Sequence, residues 1–149
     1  MTAPADPTVD MAFVAVFQEP EPLRSLLNAV LEFPEGHKIV AVELLNPYNL
    51  KEATDDKLSI LDIKARDQSK QYFNIEMQMV PFHGYKQRSL YYWAKLYQQQ
   101  LKKGGKYSKL RPTISINFLN HILFPEEPRF HTRYQLLETT SYRDRKSVV

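Results

Sequence analysis

Residues 61–78 read LDIKARDQSKQYFNIEMQ, and the alternation inside this stretch decides the fold. In its first half Asp62 and Lys64, with the preceding Ile60, point one way, while Leu61, Ile63 and Ala65 point the other. In its second half Asn74, Glu76 and Gln78 share a face, and Phe73, Ile75, Met77 and the following Met79 share the opposite, apolar one. A period of two marks strands. Between them DQSKQ (67–71) has no apolar residue and reads as the turn of a hairpin. Pairing the strands brings Asp62 and Glu76 together on the less apolar face. Two carboxylates held that close repel unless a proton or a cation stabilises them, and a divalent metal is the informative case.

Working outward, Leu23, Leu26, Leu27, Val30 and Leu31 recur at helical spacing and predict a helix over 22–33, with Gly36 soon after it. HKIVAVELL (37–45) is apolar and β-branched enough for a strand, and NPYNLKEATDD (46–56) is a polar loop. Downstream, the longest helix candidate covers 83–103 and is ended by Gly104-Gly105. Leu90, Ala94, Tyr97 and Leu101 form its expected inward stripe, with Arg88, Tyr92, Lys95, Gln99 and Lys102 on a polar face. Tyr91, Tyr92, Trp93 and Tyr97 read as packing, because this helix must cover a sheet, with base stacking as the alternative. TISINFL (113–119) is nearly continuous in apolar character and predicts a central strand, and 130–137 a further one. Residues 1–9, with two prolines and small polar side chains, read as disordered, leaving 10–137 as the folded domain. The order is helix, three strands, helix, strand: a mixed α/β (α+β) sandwich.

A chain of 149 residues with 43% apolar content is one ordinary domain with enough material for a core. No apolar run is long enough to span a bilayer, and MTAPADPTVD lacks the basic and apolar start of a secretory signal. Cysteine is absent, which excludes disulfides and thiolate metal sites. A soluble, cytoplasmic protein without a membrane partner is the expectation. The net charge of +3 conceals an asymmetry: residues 1–80 hold thirteen acids against seven bases, whereas 81–125 hold eight bases and no acid. Such a basic stretch attracts a polyanion in a salt-sensitive way, or else it is a solvated helix face. His37, His83, His121 and His131 lack metal-ligand spacing, and no glycine-rich phosphate loop or GxSxG elbow is present.

Four segments together resemble the Rpn family of recombination-promoting nucleases, also described as transposases, within the PD-(D/E)XK nuclease superfamily. They are DPTVDMAFVAVFQEPEPLRSLLNAVLEF (6–33), LDIKARD (61–67), NIEMQ (74–78) and RSLYYWAKLYQQQLKKGGKYSKLRPTISI (88–116). The resemblance implies a restriction-endonuclease-like core of order α-β-β-β-α-β, a mixed sheet flanked by helices. It implies that Asp62 and Glu76 are metal ligands, that Asp10 completes the site, and that Gln78 takes the place of the superfamily's catalytic Lys. Lys64, two residues from Asp62 on the same face, is a candidate to supply the missing charge. Mg²⁺ or Mn²⁺ is the implied ion, since oxygen ligands suit hard cations. DNA is the implied partner, met by Arg88, Lys95, Lys102, Lys103 and Lys106, and nucleases of this kind often act as homodimers.

Two positions depart from the family pattern. Val14 stands where a Lys usually follows the first Phe, and Gln18 where a Gly follows the second. The expected consequence of losing that Lys is either a lost phosphate contact or weaker activity with the metal pair untouched. Family members are generally longer, and DRKSVV (144–149) resembles a translated sequencing-adapter read-through, so 138–149 is expected to be the artefactual tail of a truncated product. The expected function is metal-dependent DNA endonuclease activity tied to recombination or mobile elements. The alternative is a catalytically inactive DNA-binding or interaction module on a decayed nuclease fold.

Overall fold

The computed structural model describes residues 7–45, 62–81 and 83–143, with side chains from Met11 onward. The expected loop at 46–56, Ile60, Leu61 and the DRKSVV end lie outside the described residues. Along the chain come α1 (Pro7–Phe17), α2 (Pro20–Leu31), β1 (Val42–Leu44), β2 (Asp62–Asp67), β3 (Tyr72–Gln78), α3 (Tyr85–Gln99), a 3₁₀ turn (Tyr107–Lys109) and β4 (Thr113–Leu119). The helix, three strands, helix, strand order holds, with α1 added in front. That helix starts at Pro7, inside the stretch read as disordered, because Pro suits a first helical turn and Phe13, Val14 and Phe17 have a core to join.

The four strands form one mixed sheet in the order β1-β2-β3-β4. β1–β2 and β2–β3 are antiparallel, and β3–β4 is parallel, with α3 as the crossover that a parallel pair requires. β4 is thus an edge strand among the described residues, not the central one its composition suggested. Its apolar members Ile114, Ile116 and Phe118 face one side, while Thr113, Ser115 and Asn117 face the other.

That division runs across the whole sheet. On one face Ile63, Ala65, Phe73, Ile75 and Ile116 pack with Phe13 and Val14 of α1 and Leu23 and Leu27 of α2 to make the core. The opposite face carries Glu43, Lys64, Asn74, Glu76, Ser115 and Asn117, and α3 lies over it. The hairpin turn is closed by Asp67, whose Oδ1 accepts from the backbone N–H of Ser69 and of Gln71, both at 2.8 Å. Gln68 then ties the turn to the lead-in of β1, accepting from Val40 N–H at 3.2 Å and donating to Lys38 O at 3.3 Å.

α2 begins with Pro20 after an extended Glu19, and it ends at Glu32 in the left-handed region (φ 50°), earlier than Gly36. Arg133, about a hundred residues on, secures that end by donating to Val30 O at 3.0 Å and to the Glu32 carboxylate at 2.7 Å. A cation at a helix C-terminus is favourable. Asn28 of the same helix clamps the chain entering β1: it donates to Ile39 O at 2.8 Å and accepts from Ile39 N–H at 2.9 Å.

Two further expectations are corrected. Residues 130–137 form no strand; only Leu137 makes an isolated bridge, and Phe130 is fully exposed. The inward stripe of α3 is also rotated. Tyr85 and Leu96 are buried with Arg88, Tyr92 and Trp93 beside them, whereas Leu90 and Ala94 face solvent. The sheet face beneath is polar, so the helix turns its hydroxyl, indole and guanidinium groups inward rather than its aliphatic ones. Tyr91, read as packing, is exposed.

Candidate active site

Asp62 and Glu76 are direct cross-strand partners on the α3 side of the sheet. Side chains so paired have Cβ atoms about 4.5–5.5 Å apart, so the two carboxylates share one neighbourhood. Asp62 opens β2 and stays half-buried; Lys64, on the same face, places its ammonium 3.3 Å from Asp62 Oδ2. Glu76 is only 3% exposed.

The groups that hydrogen-bond to Glu76 are neutral. Asn74 Nδ2 donates to Glu76 Oε1 at 3.0 Å, and the Tyr85 hydroxyl lies 3.4 Å from Glu76 Oε2 and 2.9 Å from Asn117 Oδ1. Asn117 is itself the β4 partner of Glu76. Burial first, and the Glu76 carboxylate second, push the Tyr85 phenol above its ordinary value, so it remains a protonated donor. Among the described residues no cation forms an ion pair with Glu76. A buried carboxylate held by neutral donors alone is costly, and a further positive charge there is favourable.

The donor set fits a hard divalent cation. It consists of two carboxylates, and Mg²⁺ is typically held by one or two carboxylates while keeping several waters. No cluster of three or more His, Asp or Glu able to hold a metal occurs among the described residues. Asp10 lies on α1, one turn before Phe13, but its side chain is outside the described set. The Phe13 ring meets Phe118 at 5.6 Å on the core face of the sheet, the side opposite Asp62 and Glu76.

The remaining candidates divide. Gln78, beyond Glu76 on the same face, donates from Nε2 to Val80 O at 2.9 Å. Arg88, one turn after Tyr85, has Nε and Nη2 shielded from solvent and sits 5.4 Å over the Tyr92 ring. Its charge reaches Tyr85. Lys95 is exposed on α3, and Lys102, Lys103 and Lys106 follow the helix, at the end away from the acids. The basic segment is therefore not one patch beside the carboxylates. Val14 is fully buried in the core, on the other face of the sheet from Asp62 and Glu76, so a Lys replaced there would not have been a phosphate contact at this site.

Sequence reading missed Tyr85, Asn74, Asn117 and His121. The His121 ring packs edge-on against Tyr85 at 6.2 Å, with its Nδ1 shielded and unpartnered. Only the polar alternates in β3 and β4 hinted at Asn74 and Asn117. Nothing in the spacing marked Tyr85.

No described helix is long and apolar enough to cross a membrane. Comparison with curated proteins and with solved structures finds no match. A family model, described as PD-(D/E)XK nuclease family transposase, matches residues 7–146. With a mixed four-stranded sheet between helices and a paired Asp and Glu on adjacent strands, the chain belongs to the PD-(D/E)XK nuclease family transposases.

Proposed function

We propose that this protein is a divalent-metal-dependent endonuclease that hydrolyses phosphodiester bonds in DNA, serving recombination or mobile elements. The observation that carries the reading is the direct opposition of Asp62 and Glu76, with Glu76 buried among neutral donors. Asp62 and Glu76 would hold Mg²⁺ or Mn²⁺, with Asp10 as a further ligand. The ion would supply an activated water and stabilise charge on the phosphate. Asn74 and Tyr85 fix the rotamer of Glu76. Lys64 presents its ammonium at the rim, where it leans on Asp62 when no phosphate is there and can turn to a phosphate oxygen. Gln78, its amide nitrogen engaged by Val80, offers its carbonyl oxygen to orient a water. Arg88 contributes positive potential from below, and Lys95, Lys102, Lys103 and Lys106 meet the DNA backbone.

Nicking of supercoiled plasmid in Mg²⁺ tests this. Asp62→Ala and Glu76→Ala should each lower the rate at least about a hundredfold, as expected for loss of charge stabilisation in the transition state. Equal nicking by wild type and Glu76→Ala removes Glu76 from the mechanism. A second reading, a non-catalytic DNA-binding module, is favoured by the neutral Gln78 and by the pairing of Asp62 with Lys64. DNA binding without metal-dependent cleavage would establish it.

A further inference from the structure

The turn after α3, LKKGGKYSKLR (101–111), carries five cationic side chains and no acid. Lys102, Lys103, Lys106, Lys109 and Arg111 are all exposed, and none forms an ion pair among the described residues. In their midst Tyr107 is 81% exposed. The ring stands in water with cations on both sides of it in the chain.

The turn is held firmly. Gly104 takes φ +81°, and a Cβ at Gly105 would lie 3.0 Å from both Leu101 Cδ2 and Lys102 O, so both glycines are required by the path of the chain. Gln100 clamps its far end: it accepts from Arg111 N–H at 2.8 Å and donates to Arg111 O at 3.0 Å and to Thr113 Oγ1 at 2.9 Å. Within it Lys109 N–H bonds to Lys106 O at 3.0 Å. Lys106 caps the 3₁₀ turn and Lys109 closes it, so Tyr107 is flanked by both in the chain. The ring is presented on a fixed support rather than on a loose loop.

We infer that this turn is a second nucleic-acid contact, which takes a single-stranded DNA segment by stacking an unpaired base on Tyr107 and its phosphates on Lys103, Lys106, Lys109 and Arg111. Aromatic platforms set among cations are how single strands are held without sequence preference. The site is separate from the carboxylates. Tyr85, at the start of α3, touches Glu76, while Gln100, past its end, touches Thr113. The two contacts lie at opposite ends of the 15-residue α3. The inference rests on the nuclease reading for its substrate class, and it adds a preference: DNA with an unpaired segment away from the scissile bond.

The test is fluorescence anisotropy with a labelled 15-nucleotide single strand and the matching duplex, in EDTA, so that binding is read without cleavage. Tyr107→Ala should weaken single-strand binding about tenfold and Tyr107→Phe should leave it unchanged, since a stacked base contributes about 1–3 kcal/mol. Duplex binding and competition by inorganic polyphosphate, which has no bases, should not respond to Tyr107→Ala. Lys106→Ala and Lys109→Ala should each flatten the salt dependence by about 0.7 in slope. Wild-type affinity of Tyr107→Ala for the single strand overturns the inference while leaving the nuclease reading intact. Absence of any DNA binding at low salt overturns both.

Discussion

Glu76 and Tyr85 act as a pair at the scale of single residues. Their contact is long, at 3.4 Å, and the phenol sits closer to Asn117. Tyr85→Phe keeps the ring that packs against His121 but removes the hydroxyl that orients the carboxylate. Mn²⁺ affinity, read by titration calorimetry, should fall about tenfold, the size of effect typical when a ligand loses its outer support. The melting temperature should move little by comparison, because the lost hydrogen bond is worth about 1 kcal/mol. Lys64 makes an opposite prediction. Its ammonium competes with a metal for Asp62, so Lys64→Ala should bind Mn²⁺ more tightly yet nick plasmid more slowly. Weaker metal binding by Lys64→Ala would remove the competition from the account.

Each element owes its place to a few polar clamps as well as to apolar burial. Asn28 joins α2 to the entry of β1 through two hydrogen bonds, which gives the LNA stretch (27–29) a physical role: Leu27 fills the core, Asn28 clamps, and Ala29 faces solvent. Asn28→Ala leaves both backbone groups of Ile39 without this partner and should cost about 2–3 kcal/mol, measured by urea unfolding of the single-Trp protein. Asp67 does the same for the hairpin. Asp67→Ala should cost about 1–2 kcal/mol by the same measurement, and by loosening the register it should also lower nicking, since Asp62 and Glu76 meet only in that register. The alternation in 61–78 made the hairpin, its turn and the acid pair legible. The face of α3 was not legible, because aliphatic spacing presumes an apolar surface underneath, and here Tyr85 turns toward Glu76 and Asn117.

For the whole molecule, two exposed carboxylates give folding an acid response. Hydrogen bonds from Arg129 hold Glu127 down at about 2, and those from Ser141, then Thr140, hold Glu138 at about 2. A carboxyl depressed by folding contributes stability above its ordinary value of 4.5, and that contribution is lost as pH falls through the folded value. Between pH 4.5 and 2 the wild type should therefore lose melting temperature more steeply than Glu138→Gln does, as scanning calorimetry at several pH values would show. The sequence by itself determined the hairpin, the order of elements and the acid pair, because strand alternation and turn composition are local properties of neighbouring residues. It also marked the basic half of the chain. Only tertiary structure decided that Glu76 is buried among neutral donors, that Val14 lies on the far face, and that the start of α3 rather than its basic end meets the carboxylates. Those facts depend on which surfaces meet in space, and residues far apart in the chain set them.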